Sequence, residues 1–355
     1  MIIWREGVVA GLGTAWPGAQ ELTVTIEGDQ VRALAYVELV GEPQVGDRVL
    51  VTTAALQRGL GTGGYGFVAA LPDRLPADPP TAPGHLVKAR YTPLQTLVLG
   101  ADEQESEHHE LLREADDLAG LPVVVADLHS SLPAVVAGVR TVRPDARVAY
   151  VMTDGGALPL WFSRTVAGLR DADWLAASVT VGQAFGGDVE AVSLHSGLLA
   201  ARHVLEADVV VVAQGPGNLG TGTRWGFSGV AAGDAINAVA TLGGRPIASL
   251  RVSAADPRER HHGISHHSLT AYGRVALAPA DVVVPELGGE IGALVDRQAR
   301  ALGERHALVR VAVHGLQAAL QDVPVTLSTM GRGLAEDPTP FLAAAAAGVH
   351  AASVA

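Results

Sequence analysis

The sequence predicts an α/β protein: a doubly wound, mostly parallel, Rossmann-like sheet preceded by a small antiparallel β-barrel domain. Three observations carry this expectation. Beyond about residue 91, β-branched runs such as "PVVVAD", "VAYVMTD" and "DVVVVAQ" alternate with Ala- and Leu-rich stretches. Nearly continuous apolar strands separated by helices belong to a sheet buried on both faces. Before residue 70, apolar and polar residues alternate with period two, as in Leu22, Val24 and Ile26, with frequent Gly turns, the pattern of a small barrel. Between the two regions, "PDRLPADPPTAPGH" holds five prolines in 14 residues, which sustain neither a helix nor a ladder. The expected division is residues 1–72 for the barrel, 73–90 for a linker and 91–355 for the α/β domain.

In chain order, "EGVVAGLG", "ELTVTIEGDQ", "VRALAYVELVG", "VGDRVLVTTAA" and "GYGFVAAL" read as the barrel strands. "QTLVLGA" then reads as a strand leading to a helix in "SEHHELLREADDLAG", with Ser106 as a cap. "PVVVADLH", "ARVAYVMTDGG", "LAASVTVGQAFGGD", "DVVVVAQGPG", "RPIASLRVS", "DVVVPELGG", "ALVRVAVHG" and "PVTLSTMGRG" follow as strands, with helical segments between most of them. "PFLAAAAAGVHAASV" reads as a packed terminal helix.

Composition narrows the function. At 355 residues and 48% hydrophobic the chain can bury a large core, and a formal charge of −12 argues against a protein that coats nucleic acid. The absence of cysteine removes thiolate chemistry and Cys-based metal sites. The start carries no signal-peptide pattern and the apolar runs are short, so a cytoplasmic protein with no membrane partner is expected. Lys88 is the only lysine among many arginines. A compact, tunable ammonium that has not been replaced by guanidinium invites a ligand-binding reading, against chance survival on the surface.

Four segments could carry chemistry. Gly215, Gly217 and Gly220 form G-x-G-x-x-G directly after a buried strand, but Pro216 and Asn218 stiffen the loop and no helix opens at once. NAD(P) therefore fits poorly, and a loop offering backbone N–H groups with the hydroxyls of Thr221 and Thr223 suits an anion better. Asp154 and Asp188 are glycine-flanked acids after strands; each could be an ordinary turn residue, or the two could converge on one crevice. His129 and His195, in the related stretches "DLHSSLPAV" and "SLHSGLLAA", are candidates by position.

"RERHHGISHHS" (258–268) packs four histidines and two arginines. His262 and His266 have the i, i+4 spacing of metal ligands, but Gly263 and Ser265 argue against a helix across that interval. Ser265 reads as the cap of a helix starting at His266. There His266 or His267 could work as acid or base beside the fixed charges of Arg258 and Arg260. The expected site therefore has no metal, with His262 and His266 plus a distant Asp154 or Asp188 as the metal alternative. A divalent metal is left open as cofactor.

Together "YVMTDGGALP", "TVGQAFGGDVEAV", "GPGNLGTGTRWGFSG" and "RVSAADPRERHHGISHHS" resemble an uncharacterised bacterial family, the domain of unknown function numbered 3866 (DUF3866). The resemblance spans nearly the whole chain. It implies that Asp154, Asp188, the 215–223 loop and Asp256 through His267 belong together, and it implies no activity. The functional expectation is a homo-oligomeric enzyme of transferase or hydrolase type acting on a small anionic metabolite at the C-terminal edge of the sheet. The alternative is a non-catalytic metabolite sensor or scaffold. A nucleic-acid module has the least support, because residues 1–70 are balanced in charge and poor in aromatics.

Overall fold

The computed structural model describes residues 1–61 and 63–355. The chain forms two compact units, Met1–Val98 with Trp161–Ala167, and Leu99–Leu160 with Gly168–Ala355. The whole proline-rich stretch thus belongs to the first unit. So does the excursion at 161–167, which local pattern does not mark.

The first unit is a closed five-stranded barrel. Strands β1 (Trp4–Trp16), β2 (Ala19–Ile26), β3 (Asp29–Tyr36), β4 (Arg48–Thr52) and β5 (Gly66–Ala70) close in the order β1-β2-β3-β5-β4, with β4 returning to β1. The expected antiparallel pairing holds except between β3 and β5, which run parallel. Alternation does what it implied: Leu22, Val24 and Ile26 point inward onto Val49 and Val51. Glu27 and Gly28, both at positive φ, make the two-residue turn between β2 and β3. Single helical turns α1 (Val37–Val40) and α2 (Ala54–Gln57) follow β3 and β4. Trp161 and Phe162 join an aromatic patch with Trp16, Tyr36 and Phe67, where the Trp16 indole donates to the Trp161 carbonyl at 2.6 Å. Strands β6 (Leu86–Lys88) and β7 (Thr96–Val98) pair only with each other, so "QTLVLGA" is half of a hairpin and not a strand of the large sheet.

In the second unit α3 (His109–Leu112) is a single turn, because its polar stretch offers no apolar stripe to bury. Then β8 (Pro122–Val125), α4 (Leu132–Val142), β9 (Val148–Thr153), α5 (Arg164–Asp171, which begins in the first unit), β10 (Ala177–Thr180), β11 (Val189–Glu190), α6 (Leu194–His203), β12 (Val209–Gln214), α7 (Ala232–Thr241) and β13 (Arg245–Ser249) alternate. A small hairpin β14 (Val252–Ser253) and β15 (Gly263–Ile264) leads to α8 (His266–Thr270). The chain ends with β16 (Asp281–Glu286), α9 (Gly289–Ala299), β17 (Ala307–Ala312), α10 (Leu316–Gln321), a hairpin of β18 (Ser328–Thr329) and β19 (Arg332–Gly333), and α11 (Thr339–Val354). "PVTLSTMGRG" is thus a hairpin and not a sheet strand.

The eight-stranded sheet has the order β11-β10-β9-β12-β8-β13-β16-β17, and every pair is parallel. Strands β8 and β12 are buried throughout, as their unbroken valine runs require. From the centre, β9 to β11 build outward on one side and β13 to β17 on the other. The connections therefore reverse around β12 and β8, where an open α/β sheet forms its ligand crevice. On the sheet, α4 and α11 touch almost backbone to backbone: Gly138 faces the Ala345 carbonyl and Gly348 faces that of Val135. Among the described residues no helix is long and apolar enough to cross a membrane.

Candidate functional site

Strand β8 ends at Val125, and two residues later Asp127 stands buried at the C-terminal edge of the sheet. Next to it β12 ends at Gln214, whose amide donates to the Asp127 carbonyl at 3.0 Å and to Asn218 Oδ1 at 3.0 Å. After β13 the chain passes Arg251 and enters β14. Pairing of Val252 with Ile264 and Ser253 with Gly263 makes residues 254–262 a hairpin loop. The turn needs glycine: Gly263 has φ +72°, and a Cβ there would collide with the Gln298 side chain. The hairpin folds His261 back onto the start of α8, which Ser265 caps by accepting from the His267 N–H at 3.2 Å.

Three imidazoles meet as a result. Their ring centroids lie 5.0 Å apart for His261–His266, 5.0 Å for His261–His267 and 4.4 Å for His266–His267. One ligand nitrogen from each falls within 4.8 Å of the others. Phe227 stacks flat on His267 at 3.8 Å, which fixes that ring. His261 Nδ1 lies 2.8 Å from Ser265 Oγ. Arg251 Nη1 donates to His267 Nδ1 at 3.2 Å, and Asp127 Oδ2 stands 3.7 Å from that nitrogen and 3.9 Å from the guanidinium. Both Asp127 Oδ2 and His266 Nε2 are buried without a hydrogen-bond partner among the described residues, a costly state unless something else satisfies them. Burial, with the nearby charges of Arg251 and Arg258, lowers the His261 pKa to about 3. Burial, reinforced by His267 and Arg260, lowers that of His266 to about 4. Both rings are neutral at pH 7 and keep a lone pair for a proton, a donor or a metal.

Arg251 connects this cluster to a small cleft bounded by Ser130, Ser131, Arg251, Asp256, Thr329 and Arg332 among others. Asp256 is held by a two-pronged bond from Arg258, at 2.9 and 2.7 Å, and by Arg332 Nη2 at 3.2 Å. The Arg258 guanidinium, foremost, keeps the Asp256 carboxyl well below the usual range. Arg332 Nε is buried with no hydrogen-bond acceptor among the described residues, and the Asp337 carboxylate stands 4.0 Å from it.

Of the residues singled out in the sequence, His266 and His267 stand in the cluster, while His262 is exposed and outside it. The spacing argument chose His262 because it assumed a helix; the hairpin turn presents His261 instead. The helix α8 is only five residues long, so its dipole gives little reason for an anion at its start. Arg258 is committed to Asp256, whereas Arg260 is exposed and lies against Gly222. Asp154 does follow β9 at the C-terminal edge, exposed, where it accepts from the Gln183 N–H at 2.9 Å.

Asp188 does not converge with Asp154. It stands beside Ser178 at the opposite, N-terminal edge of the sheet, accepting from the Ser178 backbone and hydroxyl and pairing with Arg170. The glycines after β12 serve loop packing: a Cβ at Gly215 would strike the Ala157 carbonyl, and one at Gly156 the Gly215 carbonyl. Gly217 supplies φ +91° and Gly220 bridges to Phe227. The hydroxyls of Thr221 and Thr223 bond to each other and to the Gly226 backbone, closing the loop on itself. His129 lies buried against the Tyr150 hydroxyl and His195 is exposed. Lys88 is buried on β6 of the first unit and is no surface residue.

Sequence reasoning missed Asp127, Phe227, Arg332 and the site role of Arg251. Asp127 carried the same signal as Asp154, an acid just after a buried strand. Arg332 carried none, since only the β18–β19 hairpin delivers it.

The doubly wound α/β sheet defines the class, a Rossmann-like protein, and it carries this His, Asp and Arg cluster at the C-terminal strand edge. Residues 32–348 match the family described as a protein of unknown function, DUF3866, and the chain belongs to that family. A comparison with curated proteins gave no match.

Proposed function

We propose that this protein is an enzyme of hydrolase or transferase type that acts on a small anionic metabolite at the switch-point edge of the sheet. The observation that supports it is Arg251, which reaches both the polar cleft and the His267–Asp127 pair. A phosphate or carboxylate in the cleft would meet the unsatisfied Arg332 Nε and the hydroxyls of Ser130, Ser131 and Thr329. Its reacting end would then lie toward His267, whose Nδ1 accepts from Arg251 beside Asp127, leaving Nε2 to exchange a proton with the substrate as acid–base catalysis requires.

The test is a thermal-shift titration with inorganic phosphate and a panel of phosphorylated and carboxylated metabolites, followed by turnover assays on the stabilising compounds. At 100 times its Kd a ligand adds about 2.7 kcal/mol, a shift that Arg332→Gln should abolish. Stabilisation without turnover would favour a metabolite sensor. A panel that leaves wild type unmoved would sink the anion reading.

A further inference from the structure

We infer that His261, His266 and His267 bind one divalent transition-metal ion through three imidazole nitrogens, with Asp127 as the outer carboxylate behind His267. Four features of the cluster point the same way. The nitrogens already stand within 4.8 Å of one another. Three nitrogens at about 2.0–2.1 Å from a tetrahedral ion stand about 3.4 Å apart, so small side-chain rotations close the set. Among the described residues nothing satisfies His266 Nε2, although it is buried. Ser265 Oγ, 2.8 Å from His261 Nδ1, can accept a hydrogen bond from Nδ1–H and leave Nε2 of that ring as the ligand atom.

The fourth feature is Asp127. Metal-bound imidazoles commonly donate a hydrogen bond from their second nitrogen to a carboxylate. A metal on His267 Nε2 would place that proton on Nδ1, 3.7 Å from the unsatisfied Asp127 Oδ2. Arg251, 3.2 Å from the same nitrogen and 3.9 Å from that oxygen, would then turn from the imidazole to the carboxylate. One ion thus satisfies two orphaned buried atoms.

The ligand chemistry selects the metal class. Three neutral imidazoles suit zinc, cobalt, nickel, copper or ferrous iron, not the oxygen-seeking magnesium and calcium. Three protein ligands also leave a fourth position for water or substrate, the arrangement of catalytic rather than structural zinc. Metal binding does not rest on the anion cleft, although Arg251 borders both. With the ion on His267 Nε2, a metal-bound water would replace the acid–base part given to His267 above, and only that use rests on the function proposed there.

The experiment uses untagged full-length protein, stripped with chelator and titrated calorimetrically with Zn²⁺, with Co²⁺ absorption as a second readout of the ligand field. Wild type should bind one ion per chain. His261→Ala and His266→Gln, checked for folding by circular dichroism, should weaken binding by more than the roughly 10–100-fold that an outer partner costs, and Asp127→Asn should fall within that range. His262→Ala, changed outside the cluster, should bind as wild type does. Absence of stoichiometric binding, or equal affinity in the folded His261 and His266 variants, would overturn the site. Metal binding without any anion effect would leave the site standing and remove the proposed function, and the reverse result would do the opposite.

Discussion

Replacing Gly138 by alanine sets two physical effects against each other. Gly138 lies within α4, where alanine is favoured over glycine by about 1 kcal/mol. On propensity alone the variant should be more stable. The structure reverses the sign. A Cβ on Gly138 would stand 2.7 Å from the carbonyl carbon of Ala345 and 2.9 Å from its Cα. Non-bonded carbons rest at about 3.5–4.0 Å, so α4 and α11 must separate by about 1 Å.

The obstacle is backbone, so no rotamer change relieves it. Nor can α11 retreat easily, since Phe341, Ala344 and Ala347 are already buried around it. Overpacking of this kind costs about 1–3 kcal/mol and occasionally more. Because the obstacle is backbone, the upper end of that range, about 3 kcal/mol, applies, and with the propensity gain of about 1 kcal/mol set against it a net loss of about 2 kcal/mol is expected. For a unit of this size that lowers Tm by about 4–8 °C. Gly348→Ala should behave alike, as its Cβ would stand 2.9 Å from both the Val135 carbonyl carbon and Val139 N. The double variant should lose less than the sum, because one separation relieves both contacts. Thermal and urea unfolding followed by circular dichroism give the numbers. A Gly138→Ala protein that melts at or above the wild-type temperature would refute the close-approach argument.

Other expectations concern the site's supports. Tyr272→Phe removes a buried hydroxyl that donates to the Val125 and Ser249 carbonyls at 2.8 and 3.2 Å. Urea unfolding should show a loss of about 1–2 kcal/mol. Gly263→Ala forces a side chain into a left-handed turn and against Gln298, so it should cost more than about 1–2 kcal/mol and should also weaken metal binding by displacing His261. Acid should act through Asp256 and Asp337. Asp256 is held low first by Arg258; for Asp337 burial pushes upward, but bonds from Ser253, Thr339 and the 254–255 backbone outweigh it. Groups with depressed folded pKa values contribute fully above their unfolded value, about 3.9 for Asp, and lose that contribution as pH falls toward the folded value. The urea midpoint should therefore drop below about pH 4. Asp256→Asn should start lower at pH 7 and fall less steeply in acid; an unchanged slope would exclude Asp256 as a source.

Local pattern was legible wherever one element decides its own form. Valine runs can only be buried strands, period-two alternation can only build a one-sided barrel wall, and Ser265 before two histidines can cap a helix whatever lies around it. The same local logic placed His266 and His267 beside each other and marked the strand ends as the place to look. It failed where pairing over distance decides. Asp154 and Asp188 look identical in sequence, each an acid beside two glycines, yet one follows its strand and the other precedes the next, which sends them to opposite edges of one sheet.

The histidine segment divides in the same way. Its composition set the chemistry: imidazoles and guanidinium groups in a short loop. Which imidazoles meet was decided by the β14–β15 pairing, which turns the loop back at Gly263, brings His261 to His266 and His267, and leaves His262 in solvent. Asp127 and Arg251 join them because strand order sets the ends of β8 and β13 side by side. Strand order follows from burying both faces of the sheet, a condition on the whole chain that no local stretch contains.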